Sequence, residues 1–163
     1  MMKQGKTKFY LSVAFGLIGL LFFSCQNTAV LVDVNQKIDQ LKWNYSDKVR
    51  IPIKVADTKT GYSFYLNLRH TGDYKYSNIF ILVHQIGPGG KKISERREFT
   101  LALQDGEWLG KGSGSLYAYQ ICFRKNYHFS QKGTYTFELE QNMRDNPLLE
   151  ISDVGIRIEK DKD

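Results

Sequence analysis

The side chains of this 163-residue chain that could do chemistry are few and scattered. Its three histidines (His70, His84, His128) and two cysteines (Cys25, Cys122) lie too far apart for metal-ligand spacing, so no metal is expected. No nucleophile elbow or P-loop occurs, and the glycine-rich stretch 110–114 opens no helix and reads as a flexible turn. Asp105 and Glu107 form a nearby acid pair, but a glycosidase needs two carboxylates about 5–10 Å apart across a cleft. Hydrolysis through Asp105, Glu107 or Asp73 is therefore the weakest reading. The residues predict a protein without catalysis or cofactor.

One thiol does suggest a reaction. Residues 1–8 carry Lys3, Lys6 and Lys8, and residues 9–23 form an apolar run broken by Ser12 and two glycines. That run falls short of the ~20 apolar residues a spanning helix needs. A basic head, a short apolar stretch and then Ser24-Cys25 describe an export signal, and the cysteine placement resembles the bacterial lipobox. The chemistry implied is a diacylglycerol thioether on Cys25, cleavage before it, and acylation of the new N-terminus. Phe22 stands where a lipobox usually has Leu, and a plain signal peptide or an uncleaved anchor with an incidental cysteine is the alternative. The domain reading is thus a signal peptide at 1–24, a lipidated Cys25 with a short tether at 25–35, and one domain at 36–163.

Removing residues 1–24 lowers the net charge from +6 to +3, and no block of like charge remains. Lys91-Lys92 and Arg96-Arg97 are interleaved with glutamates and read as a solvated loop or an edge strand. Nucleic acid is therefore excluded as a partner. Two or three fatty chains, by contrast, hold a domain firmly on a membrane. With Cys25 lipidated, Cys122 has nothing to pair with and reads as a small buried hydrophobe.

The elements follow from hydrophobic period. The composition is 42% hydrophobic and 13% aromatic, with only five alanines, which favours strands. Val49, Ile51, Ile53 and Val55 alternate with Lys48, Arg50 and Lys54, and Pro52 marks an edge strand or bulge. Residues 62–69 alternate most clearly, and 78–86 form a nearly continuous apolar run expected of a central strand covered on both faces. His84, within that run, is expected to be a satisfied strand residue. Further strands are expected at 98–103, 116–123, 134–140 and 154–159, with a possible first strand within 26–35. Only 34–41 and 141–146 look helical. Seven to nine short strands make an all-β, antiparallel β-sandwich, jelly-roll or immunoglobulin-like.

Three segments carry more than a sandwich needs. Residues 68–80 crowd Arg69, Asp73, Tyr74, Tyr76 and Asn78 between two strong strands; residues 106–114 present Trp108 among glycines; residues 141–157 carry Met143 and Arg144 ahead of Pro147. Aromatic and Arg side chains on loops are the usual anchors of binding surfaces. Residue by residue, the alternative is that Arg69 pairs with Asp73 or a neighbouring carboxylate while the tyrosines cap the sandwich end.

These segments, with the lipobox, resemble the gliding-motility lipoproteins of the GldH family, found in the Bacteroidetes envelope. The match runs through Trp43, the Tyr-rich strand ending in Leu68-Arg69-His70, Asp73–Asn78, Gly106–Gly110 and Met143–Arg157. The resemblance implies a non-enzymatic envelope lipoprotein that supports gliding or the associated type IX secretion apparatus, docking on other envelope lipoproteins. It transfers no catalytic residue. Surface-exported lipoproteins of that phylum usually carry acids just after the lipidated cysteine, whereas here the first is Asp33; a periplasm-facing outer-membrane anchor is expected. The runner-up is a glycan-binding module, with Trp108, Tyr74 and Tyr76 as an exposed stacking platform.

Overall fold

The computed structural model describes residues 29–161. Its strands are β1 (Val30–Lys37), β2 (Lys42–Trp43), β3 (Val49–Val55), β4 (Tyr62–Thr71), β5 (Asn78–Ile86), β6 (Lys92–Thr100), β7 (Lys111–Ser113), β8 (Leu116–Tyr127), β9 (Gly133–Gln141), β10 (Leu148–Leu149) and β11 (Ile151–Lys160). They form an antiparallel sandwich of a five-stranded sheet, β1-β11-β4-β8-β7, and a four-stranded sheet, β3-β9-β5-β6, with β10-β2 as a small ribbon. The long pairs are nested: β1 with β11, β3 with β9, β4 with β8, and β5 with β6. The chain is therefore one long ribbon doubled back at 87–91, its successive pairs laid alternately on the two sheets. That arrangement is a jelly roll, which resolves the two expected sandwich types.

The expected strands are present, except that the one expected at 98–103 lies at Lys92–Thr100 with 101–103 on the hairpin that carries Trp108, and the alternation fixes which face is buried. Val49, Ile51, Ile53 and Val55 point inward from β3 while Arg50, Pro52 and Lys54 are exposed. Pro52 is tolerated because β3 pairs only with β9 and lies at a sheet edge. Phe64, Leu66 and Leu68 of β4 meet Ile79, Ile81 and Phe137 from the other sheet in a single core. Edge strand β6 turns Glu95 and Arg97 inward, where Arg124 of β8 bonds Glu95 (2.8 Å) and Gln85 (3.1 Å). Inward charge of this kind discourages pairing with another chain.

Five expectations change. β1 begins at Val30, so the sheet starts ahead of the boundary expected at residue 36. The helical reading of 34–41 gives way to β1 and a single 3₁₀ turn at Asp39–Leu41, because pairing with β11 satisfies more backbone than an isolated turn of helix. Residues 142–147 likewise form bends rather than a helical turn. Among the described residues no second layer covers the outer face of β5; instead the Arg96 guanidinium lies 3.8 Å over the Phe80 ring, and His84 bonds Ser94 (2.7 Å) and Glu140 (3.1 Å). Cys122 is half-buried on the outer face opposite Tyr65 rather than in the core. Residues 1–24 and Cys25 lie outside the described residues.

The register also fixes the two ends. Val30 lies opposite Glu159, and the Ala29 carbonyl accepts from Lys160 N–H, so the chain enters beside the start of β4 at Tyr62. The other end of β4, at His70, lies about 26 Å away at the rise of an extended strand. The three unusual segments must be placed against these two ends.

Candidate interaction site

Two of the three segments, and Trp108 from the third, meet at the His70 end. The ring of His70 is fully buried and sits 4.9 Å from Tyr74, 4.5 Å from Trp108, 5.8 Å from Tyr117 and 5.2 Å from Tyr119. Trp108 arrives on a short hairpin held by the Ala102–Trp108 bridge, and Gly110 lets that segment lie against the Tyr119 ring. Tyr74 is buried and donates to the Asn78 carbonyl (3.0 Å); burial pushes its hydroxyl well above the ordinary phenol range. Tyr76 packs edge-on against Tyr74 and donates to Asp145 (2.5 Å), which raises its own pKa.

The 142–150 segment is tied down from both sides. Tyr45 Oη donates to the Met143 carbonyl (2.5 Å), Gln141 Nε2 to the Asp145 carbonyl (3.1 Å), and Thr71 N–H to the Glu150 carbonyl (3.0 Å). Between this segment and residues 73–76 lies a groove of about 280 Å³, lined by Asp73, Tyr76, Asp145, Leu148, Leu149 and Glu150 among others. Leu149 is 52% exposed at its rim, and Leu103 (47%) and Leu109 (52%) are exposed on the Trp108 hairpin. Arg144 is exposed and makes no ion pair among the described residues. An apolar rim beside unpaired cations suits a protein surface.

The candidate residues do not all gather there. Arg69 points from β4 onto the outer face of the five-stranded sheet and grips Asp153 at 2.7 and 2.8 Å; Asp153 is buried and sits opposite it in β11. Its carboxylate partner is therefore a neighbour in the sheet, not Asp73, which is exposed. Asn78 faces the other sheet's exterior and donates to Glu98 (2.6 Å). Asp105 and Glu107 occupy an exposed hairpin tip and line neither groove. Tyr74, Tyr76 and Trp108 do not form an exposed platform, since Tyr74 is 4% exposed and Trp108 packs on three other rings. Among the described residues, no three His, Cys, Asp or Glu side chains are grouped to hold a metal.

Sequence reasoning missed a second concavity. The outer face of the five-stranded sheet forms an open groove of about 820 Å³ lined by Asp33, Asn35, Asn67, Arg69, Lys111 and Gln120. Gln120 donates to Asn67 (3.1 Å), Asn67 to Asp33 (2.8 Å), and Arg157 to Asp33 (2.8 Å) and Glu159 (2.6 Å). The polar half of each strand's alternation was the available signal, but only the register places four strands' worth of it side by side.

His70 is expected to make the aromatic end pH-sensitive. Its Nδ1–H donates to the Thr71 carbonyl (2.7 Å), and Nε2 lies 3.1 Å from Tyr119 Oη. Burial holds the imidazole below its ordinary value, opposed by the Thr71 bond. Below about pH 6.5 the unfolded chain takes up a proton that the folded chain refuses, so stability falls with pH by up to about 1.4 kcal/mol per unit from this group. Urea midpoints between about pH 7 and about pH 5 should fall more steeply for the wild type than for His70→Gln. Equal slopes would show that His70 is not held neutral.

The comparisons with known proteins bear on the whole domain. The GldH lipoprotein family model matches residues 30–158. The chain is similar to the gliding motility lipoprotein GldH homolog of Christiangramia forsetii, 33% identical over 148 residues, covering 86% of this chain and 90% of that protein. It is also similar to the gliding motility lipoprotein GldH of Flavobacterium johnsoniae, 28% identical over 151 residues, covering 88% of this chain and 92% of that protein. The matched span runs from the first strand almost to the end of the last, and includes both the aromatic end and the polar groove. The chain belongs to the GldH lipoprotein family.

Proposed function

We propose that this protein is a non-enzymatic lipoprotein of the gliding machinery and its associated type IX secretion apparatus, anchored through acylated Cys25 after loss of residues 1–24. It sits at the outer membrane facing the periplasm and docks on other envelope lipoproteins through its aromatic end. Support comes from the relatives' names. The observation that carries the docking face is the meeting of Trp108 with residues 73–76 and 142–150 at the end of the fold farthest from Val30. An anchor at Cys25 leaves that end directed away from the bilayer.

The test is capture of partners from detergent-solubilised membranes by the acylated protein, read by mass spectrometry. The variant Tyr76→Ala/Arg144→Glu/Leu149→Ser should reduce recovery of envelope lipoproteins at least about thirtyfold, the loss of one interface hot spot. Arg69→Ala should lower stability, because it strips a buried carboxylate of its partner, yet leave capture of the folded fraction unchanged. Equal capture by wild type and the triple variant would overturn the docking face. Glycan binding is the second reading, favoured by the amide and carboxylate lining of the outer groove; retention on a polysaccharide array lost in Asn67→Ala/Gln120→Ala would support it.

A further inference from the structure

We propose that the end of the fold where the chain enters is a docking face for anionic lipid headgroups, an inference that rests on the lipid-anchored reading of Cys25. Ala29, the 56–61 and 87–91 loops, residues 125–132 and Lys160 all lie at this end. The Lys160 N–H bonds Ala29, Asp161 N–H bonds Gly61, Asn126 N–H bonds Asp161, and a Cβ on Gly133 would strike Pro88. Lys54, Lys59, Lys91, Lys125 and Lys132 are exposed there and form no ion pair among the described residues, and His128 is exposed beside them. Lys92 pairs with Glu138 (3.1 Å) and Lys160 with Asp57 (3.7 Å).

Among the described residues, the two loop acids of this end are spent on the loops, and Glu159, opposite Val30, binds Arg157 (2.6 Å). Asp57 accepts from the Thr60 hydroxyl (2.6 Å) and from the Lys59 N–H (2.9 Å), and these bonds hold it down to about 2. Asp161 accepts from Ser63 (2.5 Å) and the Asn126 N–H (3.0 Å). At the far end Asp39, Asp73, Asp105, Glu107, Asp145 and Glu150 are interspersed with Lys37, Lys42, Lys75, Lys111 and Arg144, so charge there is mixed. The domain is therefore polarised along the strand axis, positive at the end beside its anchor.

Geometry supplies the occupant. Ala29 follows Cys25 by four chain steps, at most about 15 Å of extended chain. A lipid on Cys25 keeps the five unpaired lysines close enough to a bilayer for screened attraction over about 8 Å to act. Each lysine brought to an anionic surface strengthens association about fivefold. The docked domain would stand upright, with its aromatic end about 26 Å farther from the headgroups.

The full acylated protein, reconstituted in phosphatidylcholine vesicles and in vesicles doped with phosphatidylglycerol, tests this by flotation and by acetylation of its amines. Labelling of Lys59, Lys125 and Lys132 should fall on the order of tenfold in the anionic vesicles relative to the neutral ones, and recover in high salt. Lys111 at the far end should label equally in both. The variant Lys59→Glu/Lys125→Glu/Lys132→Glu, matched to wild type by circular dichroism, should still float but lose the protection of Lys54 and Lys91. Protein that floats with both vesicles and labels equally overturns the docking face alone. Protein that floats with neither overturns the anchor and this proposal together, whereas flotation only with anionic vesicles supports the docking face and overturns the anchor.

Discussion

Replacing Gly155 with alanine is expected to cost about 3 kcal/mol or more of folding stability, far beyond the usual cost of a surface methyl group. Gly155 faces outward from β11, opposite Asn35 of β1. A Cβ there would lie inside the van der Waals shell of the Val34 carbonyl oxygen and 2.7 Å from Asn35 Cα. Both are backbone atoms, so no side-chain rotation relieves the clash, and β1 would have to leave its ladder with β11. Gly112→Ala is the control, because its Cβ would meet nothing nearer than the Tyr117 ring at 3.9 Å. Urea unfolding of the two variants decides the matter: similar midpoints would show that β1 is not seated on Gly155.

Trp43→Ala is expected to lose about 3–5 kcal/mol, the cost of emptying a large buried aromatic site. Trp43 is fully buried, and its Nε1–H donates to the Asp47 carbonyl (2.8 Å). Through β2 it pairs with Leu148 of β10, and its carbonyl accepts from Gln141 Nε2 (3.4 Å). The indole therefore also anchors the 142–150 segment that forms one wall of the aromatic-end groove. Trypsin should cut after exposed Arg144 faster in Trp43→Ala than in wild type, under conditions where both remain folded. Trp43→Phe, which keeps most of the volume and loses the hydrogen bond, should fall between them. Unchanged cleavage would mean the segment is held without the indole.

The residues that carry the family resemblance turn out largely to hold one another. In the closing motif, Asp153, Gly155 and Arg157 share the outer face of β11: Asp153 binds Arg69, Gly155 admits β1, and Arg157 bridges Asp33 and Glu159. Arg69 and His70, adjacent in sequence, point to opposite faces of β4, one onto Asp153 and the other into the aromatic cluster. Neighbouring strand residues always part in this way. A cluster in sequence was therefore split in space, and residues far apart in sequence were joined.

The sequence by itself determined most of the long strands, their buried faces and the family, and narrowed the Pro52 strand to an edge or a bulge. Each of these depends on side-chain period, on a proline's missing N–H, or on a motif order that needs no partner strand. It also singled out Tyr74, Tyr76, Trp108 and Arg144, since they fall on connections. Only the tertiary structure decided that the sandwich is a jelly roll, that Arg69 answers to Asp153, that His70 lies at the centre of the aromatic end, and that five unpaired lysines gather beside the chain's entry. The reason is register: alternation says which way a side chain points, but not which strand lies beside it. Those neighbours are set by long-range antiparallel pairing, such as β1 with β11, whose partners lie more than a hundred residues apart.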